Sequence, residues 1–207
     1  MAVLSDIIMK RIRGHGRGTW VFSAKDFLDL GNRAAVDQSL SRLHRDSTLR
    51  RVGRGLYDWP QFSQVLDRPA PMDLDAAVAA IARRDNLRIM PDGLAAAHRL
   101  GLTNAVPAKV LYWTDGSSRT IPVGDRTIHL KHVRPGLIRW ADHTAAAVVS
   151  ALMWLGPSLA TDSRLLDRLR QQLPLSVKQD LADGISTLPT WAAPIARALT
   201  AQPRPAS

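Results

Sequence analysis

Cysteine is absent from the 207-residue chain, which excludes disulfides, thiol nucleophiles and cysteine-ligated zinc or iron–sulfur sites. Glutamate is absent too: all 18 acidic residues are aspartates. That removes every motif built on a catalytic glutamate, the H-E-x-x-H zinc-protease helix among them. Lysine is scarce, occurring only as Lys10, Lys25, Lys109, Lys131 and Lys178. No stretch reaches the ~18 uncharged apolar residues that a membrane-spanning helix needs. The segment Met1–Arg13 scatters Asp6, Lys10, Arg11 and Arg13 among its apolar positions, unlike a signal peptide. A soluble cytoplasmic protein without a membrane partner is expected.

What is present is positive charge, a formal +10 carried almost wholly by arginine. A guanidinium fork fits guanine edges and phosphate oxygens better than an ammonium does. The charge is also concentrated. Residues 8–54 hold eleven Lys and Arg against four Asp, and residues 109–139 hold six against two. Two basic blocks on a chain that is 45% hydrophobic point to a folded protein with a docking surface for a polyanion.

Periodicity organises the first block. Ser5 is placed to cap a helix over Asp6–Arg13, and Gly14-His15-Gly16-Arg17-Gly18 ends it. The glycines run into Trp20-Val21-Phe22, a short strand, and lack the Gly-Lys-Ser/Thr ending of a phosphate-binding loop. Ser23 reads as the cap of a short helix, Ala24–Leu30, stopped by Gly31; Asn32 caps a second helix, Arg33–Asp46. Two helices joined by so tight a turn are a helix-turn-helix signature. In the second, Val36, Leu40 and Leu43 form one stripe, while Ala34, Gln38, Ser41, Arg42 and Arg45 lie opposite. Gln can pair with adenine and Arg with guanine in the major groove. Next, Gly53-Arg54-Gly55 joins two short apolar stretches as a hairpin, a basic wing with Arg54 at its tip.

Asp67-Arg68-Pro69-Ala70-Pro71 reads as a linker. Helices are expected over Asp73–Arg84 and Asp92–Leu100, then strands over Lys109–Thr114, Arg119–Val123 and Arg126–Val133. Four helices follow, near Thr144–Leu155, Asp162–Leu173, Ser176–Ile185 and Trp191–Leu199, with Leu165, Leu166, Leu169 and Leu173 as a packing stripe. The expected class is α+β: a winged helix-turn-helix domain at 1–66, then a mixed domain at 72–200 with a small antiparallel sheet and C-terminal helices. Residues 201–207 read as a disordered tail.

Asp26–Gly31, Ala34–Leu43 and Arg50–Pro60 (RRVGRGLYDWP) resemble the AbiEi-type antitoxins of bacterial type IV toxin–antitoxin systems, as do Gly93–Leu102 and the strands at Lys109–Thr114 and Ile128–Val133. The resemblance spans residues 5–135 and does not reach the C-terminal helices. It implies a winged helix that binds double-stranded promoter repeats and represses its own operon, and a second domain that counters a co-encoded nucleotidyltransferase toxin. Arg33, Gln38, Ser41, Arg42, Arg45 and Arg54 match its reading helix and wing. Arg50 and Arg51 join them as expected DNA-binding residues, and Arg119, Arg126, Lys131 and Arg134 form a second basic surface.

Two alternatives stay open. One is a winged-helix regulator with no toxin partner. The other is a metal- or phosphate-dependent enzyme on the second domain, built from His98, Asp92, His129, His132, Asp142 and His143. His129 and His132 are three apart on a strand and so point to opposite faces, and no Gly-x-Ser-x-Gly elbow accompanies the histidines. No intrinsic catalysis, metal or cofactor is expected.

Overall fold

The computed structural model describes residues 3–159 and 162–201. It is a mixed α+β protein with small antiparallel sheets. Its contacts divide it into two compact units, one running to Leu87 and including Thr120–Ile128, the other made of Arg88–Arg119 and the chain from His129 on.

In the first unit, helix α1 (Leu4–His15) starts at Val3, not at Ser5. It buries Ile8, Met9 and Ile12. Strand β1 (Val21–Phe22) leads into a 3-10 turn, Ala24–Phe27, where an α-helix to Leu30 was expected. Asp26 closes this turn early: its carboxylate accepts the Ser23 amide at 2.8 Å and the Arg83 Nε–H at 2.7 Å. Helix α2 (Arg33–Arg45) begins at Asn32, whose side-chain oxygen accepts the Ala35 amide at 2.9 Å. Strands β2 (Arg50–Gly53) and β3 (Leu56–Asp58) form the hairpin, and Gly55 takes the positive φ (67°) that its turn requires. The sheet order is β1-β3-β2.

Val36 and Leu40 of α2 are fully buried, packing with Ile8, Ile12, Phe22 and Phe27. Phe22 and Phe27 meet edge to face with ring centroids 5.4 Å apart. On the far side, Arg11 grips Asp29 with two hydrogen bonds of 2.8 and 2.6 Å, which hold the Asp29 carboxyl below its usual range.

The expected linker is not one. Strands β4 (Phe62–Ser63) and β5 (Arg68–Pro69) pair as a ribbon, with Pro69 at an edge where its missing N–H costs nothing. Helix α3 (Leu74–Asp85), capped by Asp73, packs on β1 and the 3-10 turn. It therefore belongs to the first unit, although the sequence assigned it to the second.

The second unit opens with β6 (Ile89–Pro91) and α4 (Gly93–Arg99), the latter capped by Asp92. Strand β7 (Val110–Thr114) pairs antiparallel with β6, Met90 opposite Trp113. Strands β8 (Arg119–Val123) and β9 (Arg126–His132) complete the sheet order β6-β7-β9-β8. Their turn end, Thr120–Ile128, is the segment grouped with the first unit. A short α5 (Pro135–Ile138) precedes α6 (Ala146–Leu159), which is interrupted at Gly156-Pro157. Helices α7 (Ser163–Gln172), α8 (Leu175–Asp183) and α9 (Ala192–Thr200) follow. The core gathers Trp140, Val149 and Leu152 with Leu169 and Leu173 of the expected leucine stripe and with Leu181 and Leu199. Of the expected tail, 201–207, Ala201 closes α9 through its amide on the Arg197 carbonyl, and residues 202–207 lie outside the described residues.

Helix α4 lies close on α6 because small residues face each other there. Ala96, Ala97 and Ala151 are fully buried, and a Cβ on Gly93 would sit 2.5 Å from the Trp154 Cβ. Asp180 of α8 supports the start of α6 from outside: it accepts the Ala145 amide and the Thr144 hydroxyl, each at 2.9 Å, and pairs with His143 Nδ1 at 2.6 Å. It supplies in trans what an N-cap residue supplies in cis. Among the described residues, no helix is long and apolar enough to cross a membrane.

Candidate nucleic-acid interface

Burial on one side of α2 dictates what the other side presents. With Val36 and Leu40 inward, the side chains of Arg33, Ala34, Gln38, Ser41, Arg42 and Arg45 all stand exposed. Their electrostatics differ. Arg33 Nε donates to Asp37 at 2.7 Å, and Arg42 lies 3.8 Å from Asp46, so both forks are partly compensated by a carboxylate one turn on. These exposed pairs hold loosely enough to exchange for another anion. Arg45 has no carboxylate partner among the described residues.

The hairpin adds Arg51 and Arg54, both exposed. A bulge between Arg51 and Gly53 shifts the register, and the Arg54 carbonyl accepts Arg84 Nη1–H at 2.7 Å, which tethers the tip to α3. The outer edge of β2 is covered, since Val52 O accepts the Gly124 amide at 2.6 Å. A Cβ on Gly53 would stand 3.2 Å from the Pro122 carbonyl oxygen. An open strand edge is thereby closed.

Arg50 does not stand with its neighbours. Its Nε donates to Asp58 at 3.0 Å, one Nη donates to the other Asp58 oxygen, and the second Nη reaches the Ala70 carbonyl at 2.9 Å. The Asp58 side chain is only 2% exposed, so this pair is part of the frame. From sequence, Arg50 is expected among the DNA-binding residues. A turn at Arg54-Gly55 alone would set Arg51 opposite Asp58; the bulge between Arg51 and Gly53 shifts the register by one and sets Arg50 there instead.

The second basic block is divided between the two units. Along β9, Arg126 shares the alternation of buried Ile128 and Leu130, and Lys131 takes the opposite one. The boundary between units also falls within this strand, leaving Arg126 in the first unit and Arg119, Lys131 and Arg134 in the second. Sequence reasoning missed two arginines of the first unit. Arg17 lies over the Trp59 ring, 4.4 Å from its centroid, and Arg68 is exposed on the ribbon.

The residues weighed for chemistry are spread out. His143 is engaged by Asp180, Asp142 by Arg88 at 3.4 Å, and His132 Nδ1 by the Gly116 carbonyl at 3.0 Å. Asp92 caps α4, and His98 is exposed on it. Among the described residues, no three His or Asp side chains gather as metal ligands would.

These features define a basic α+β protein whose first unit carries an arginine-bearing helix face and a hairpin with an arginine at its tip. The chain belongs to DUF6088, a family of unknown function, whose profile matches residues 7–187. No curated protein matches the sequence.

Proposed function

We propose that this protein is a sequence-specific DNA-binding repressor whose first unit works as a winged helix-turn-helix. The observation that carries the proposal is the sorting of α2, with Gln38, Ser41, Arg42 and Arg45 exposed and Val36 and Leu40 buried, followed in the same unit by a hairpin with exposed Arg54. In this reading α2 enters the major groove, where Gln38 and Arg42 contact base edges. Arg33 and Arg45 exchange or add phosphate partners, and Arg51 and Arg54 follow the backbone.

The resemblance to AbiEi-type antitoxins gives the repressor its setting. Bound to repeats in its own promoter, it limits expression of its operon, and the second unit counters a co-encoded nucleotidyltransferase toxin. This part rests on the quoted motifs, and the DNA-binding part rests on the geometry of α2 and the hairpin.

Footprinting of the full chain on its own promoter tests the first part. Protection of repeated half-sites, shifted to higher protein concentration with Arg42→Ala, is the expected result, and a uniform pattern indistinguishable from that on unrelated DNA refutes it. Co-expression with the adjacent gene tests the second: rescue of growth is expected, and an adjacent gene that is harmless alone removes the antitoxin reading.

A further inference from the structure

Beside the hairpin, the first unit contains an open cleft of about 270 Å³ that neither α2 nor the wing tip explains. Arg50, Arg51 and Arg68 line it, with Pro69 of the β5 strand, Gly124 and Asp125. The three arginines are not equivalent. Arg50 is fully engaged by Asp58 and the Ala70 carbonyl, so it fixes the cleft's shape and contributes no net charge. Arg51 makes one long contact, Nε to the Gly53 carbonyl at 3.4 Å. The Arg68 side chain is exposed, and its guanidinium has no hydrogen-bonded or ionic partner among the described residues. One carboxylate, Asp125, shares the wall.

Two guanidinium forks with no carboxylate partner of their own, against one carboxylate in the wall, leave an electropositive cleft. Planar forks of this kind fit phosphoryl oxygens two at a time. We propose that the cleft binds a phosphoryl group between Arg51 and Arg68, which makes Arg68 a ligand-contacting residue. Spacing favours a duplex-backbone phosphate as the source. Arg51 lies three residues from the wing tip Arg54, a span of at most about 10 Å, while successive phosphates of one DNA strand rise about 3.4 Å each. A duplex that meets Arg54 therefore carries phosphates past the cleft. That source rests on the DNA-binding reading above; a free phosphate or mononucleotide is the other source of the same chemistry.

The test uses the full chain in three forms: wild type, Arg68→Gln, and Arg164→Gln as a control that removes one exposed positive charge from the second unit. Duplex affinity is followed by fluorescence anisotropy against salt, on promoter and unrelated DNA, and inorganic phosphate is titrated by calorimetry. With a backbone phosphate, Arg68→Gln weakens both duplexes alike, by about tenfold, and reduces the salt slope by about one. Arg164→Gln does neither. If the duplex data do not move but wild type binds inorganic phosphate and Arg68→Gln does not, the cleft stands and its source is a small molecule. If wild type binds no DNA while the phosphate result holds, the DNA reading falls and the cleft survives. Arg68→Gln that melts like wild type and changes neither measurement overturns the proposal, even where Arg42→Ala weakens promoter recognition. Arg51→Gln repeats the same comparison should Arg68→Gln lower the melting temperature.

Discussion

Replacing Arg50 with methionine separates a framework role from a DNA-contacting one. The substitution keeps much of the stem's volume but removes three hydrogen bonds, two to Asp58 and one to the Ala70 carbonyl. The Asp58 carboxylate, 2% exposed, is left buried without its partner. Breaking a buried pair in this way costs ~3–5 kcal/mol. Arg50 is 30% exposed, so water reaches the pair from one side. That puts the expected loss at the lower end, about 3 kcal/mol. In a domain whose total stability is about 5–15 kcal/mol, this is a large fraction. Urea unfolding at pH 7, followed by tryptophan fluorescence, reads it as a lower midpoint. The double variant Arg50→Met with Asp58→Leu recovers most of the loss, because two apolar side chains no longer strand a charge. An Arg50→Met cost below ~1 kcal/mol, the range of exposed pairs, refutes the argument. So does a variant of full stability that has lost DNA affinity, which would return Arg50 to the interface.

Three further outcomes follow from the same geometry. Gly93→Ala forces a Cβ to 2.5 Å from the Trp154 Cβ and 2.7 Å from the Ser150 carbonyl oxygen, so α4 must move off α6. Thermal unfolding is expected to show a loss of ~1–3 kcal/mol, and an unchanged melting temperature contradicts that packing. Burial raises the Asp180 carboxyl, but hydrogen bonds from His143, the Ala145 amide and Thr144 outweigh it and leave it below its ordinary value of 3.8. Its contribution is therefore full above pH 3.8 and is lost as pH falls through the lower folded value. Asp180→Asn should flatten this acid limb in urea melts at pH 2–5, and a limb identical to wild type contradicts the assignment. Arg42→Ala is expected to cost ~1–3 kcal/mol of promoter affinity and relax preference at one base, while Arg54→Ala weakens all sequences alike; equal binding by both variants and wild type, in anisotropy titrations, removes α2 and the hairpin from the interface.

Local signals carried much of this fold into the sequence. Asn32 marks the start of α2, the Val36/Leu40 stripe fixes its buried side, and Gly53-Arg54-Gly55 marks the hairpin, because caps, periodicity and turn glycines act within a few residues. The β4–β5 ribbon escaped because its two-residue strands contain Pro69 and follow no alternation, so Asp67–Pro71 looked like a linker. The short 3-10 turn at Ala24–Phe27 escaped for another reason: Arg83, fifty-seven residues away, helps to hold Asp26. Arg50 was misplaced because charge counting does not pair residues across a strand. The cleft of Arg51 and Arg68 was invisible because it depends on how separate segments of the first unit meet.

The bond between Val52 and Gly124 has a consequence for the order of events during synthesis. The first unit is not contiguous: it needs Thr120–Ile128, which leaves the ribosome after Arg88–Arg119. At ~5–20 residues per second, several seconds separate Leu87 from Ile128. During that interval α1, α2 and the hairpin can assemble, but the outer edge of β2 stays uncapped. The nascent chain thus passes through a stage in which its hairpin has a bare edge, open to pairing with another nascent chain. Translational pausing while Thr120–Ile128 is still inside the ribosome would lengthen that exposure, and pausing after that segment has emerged would not.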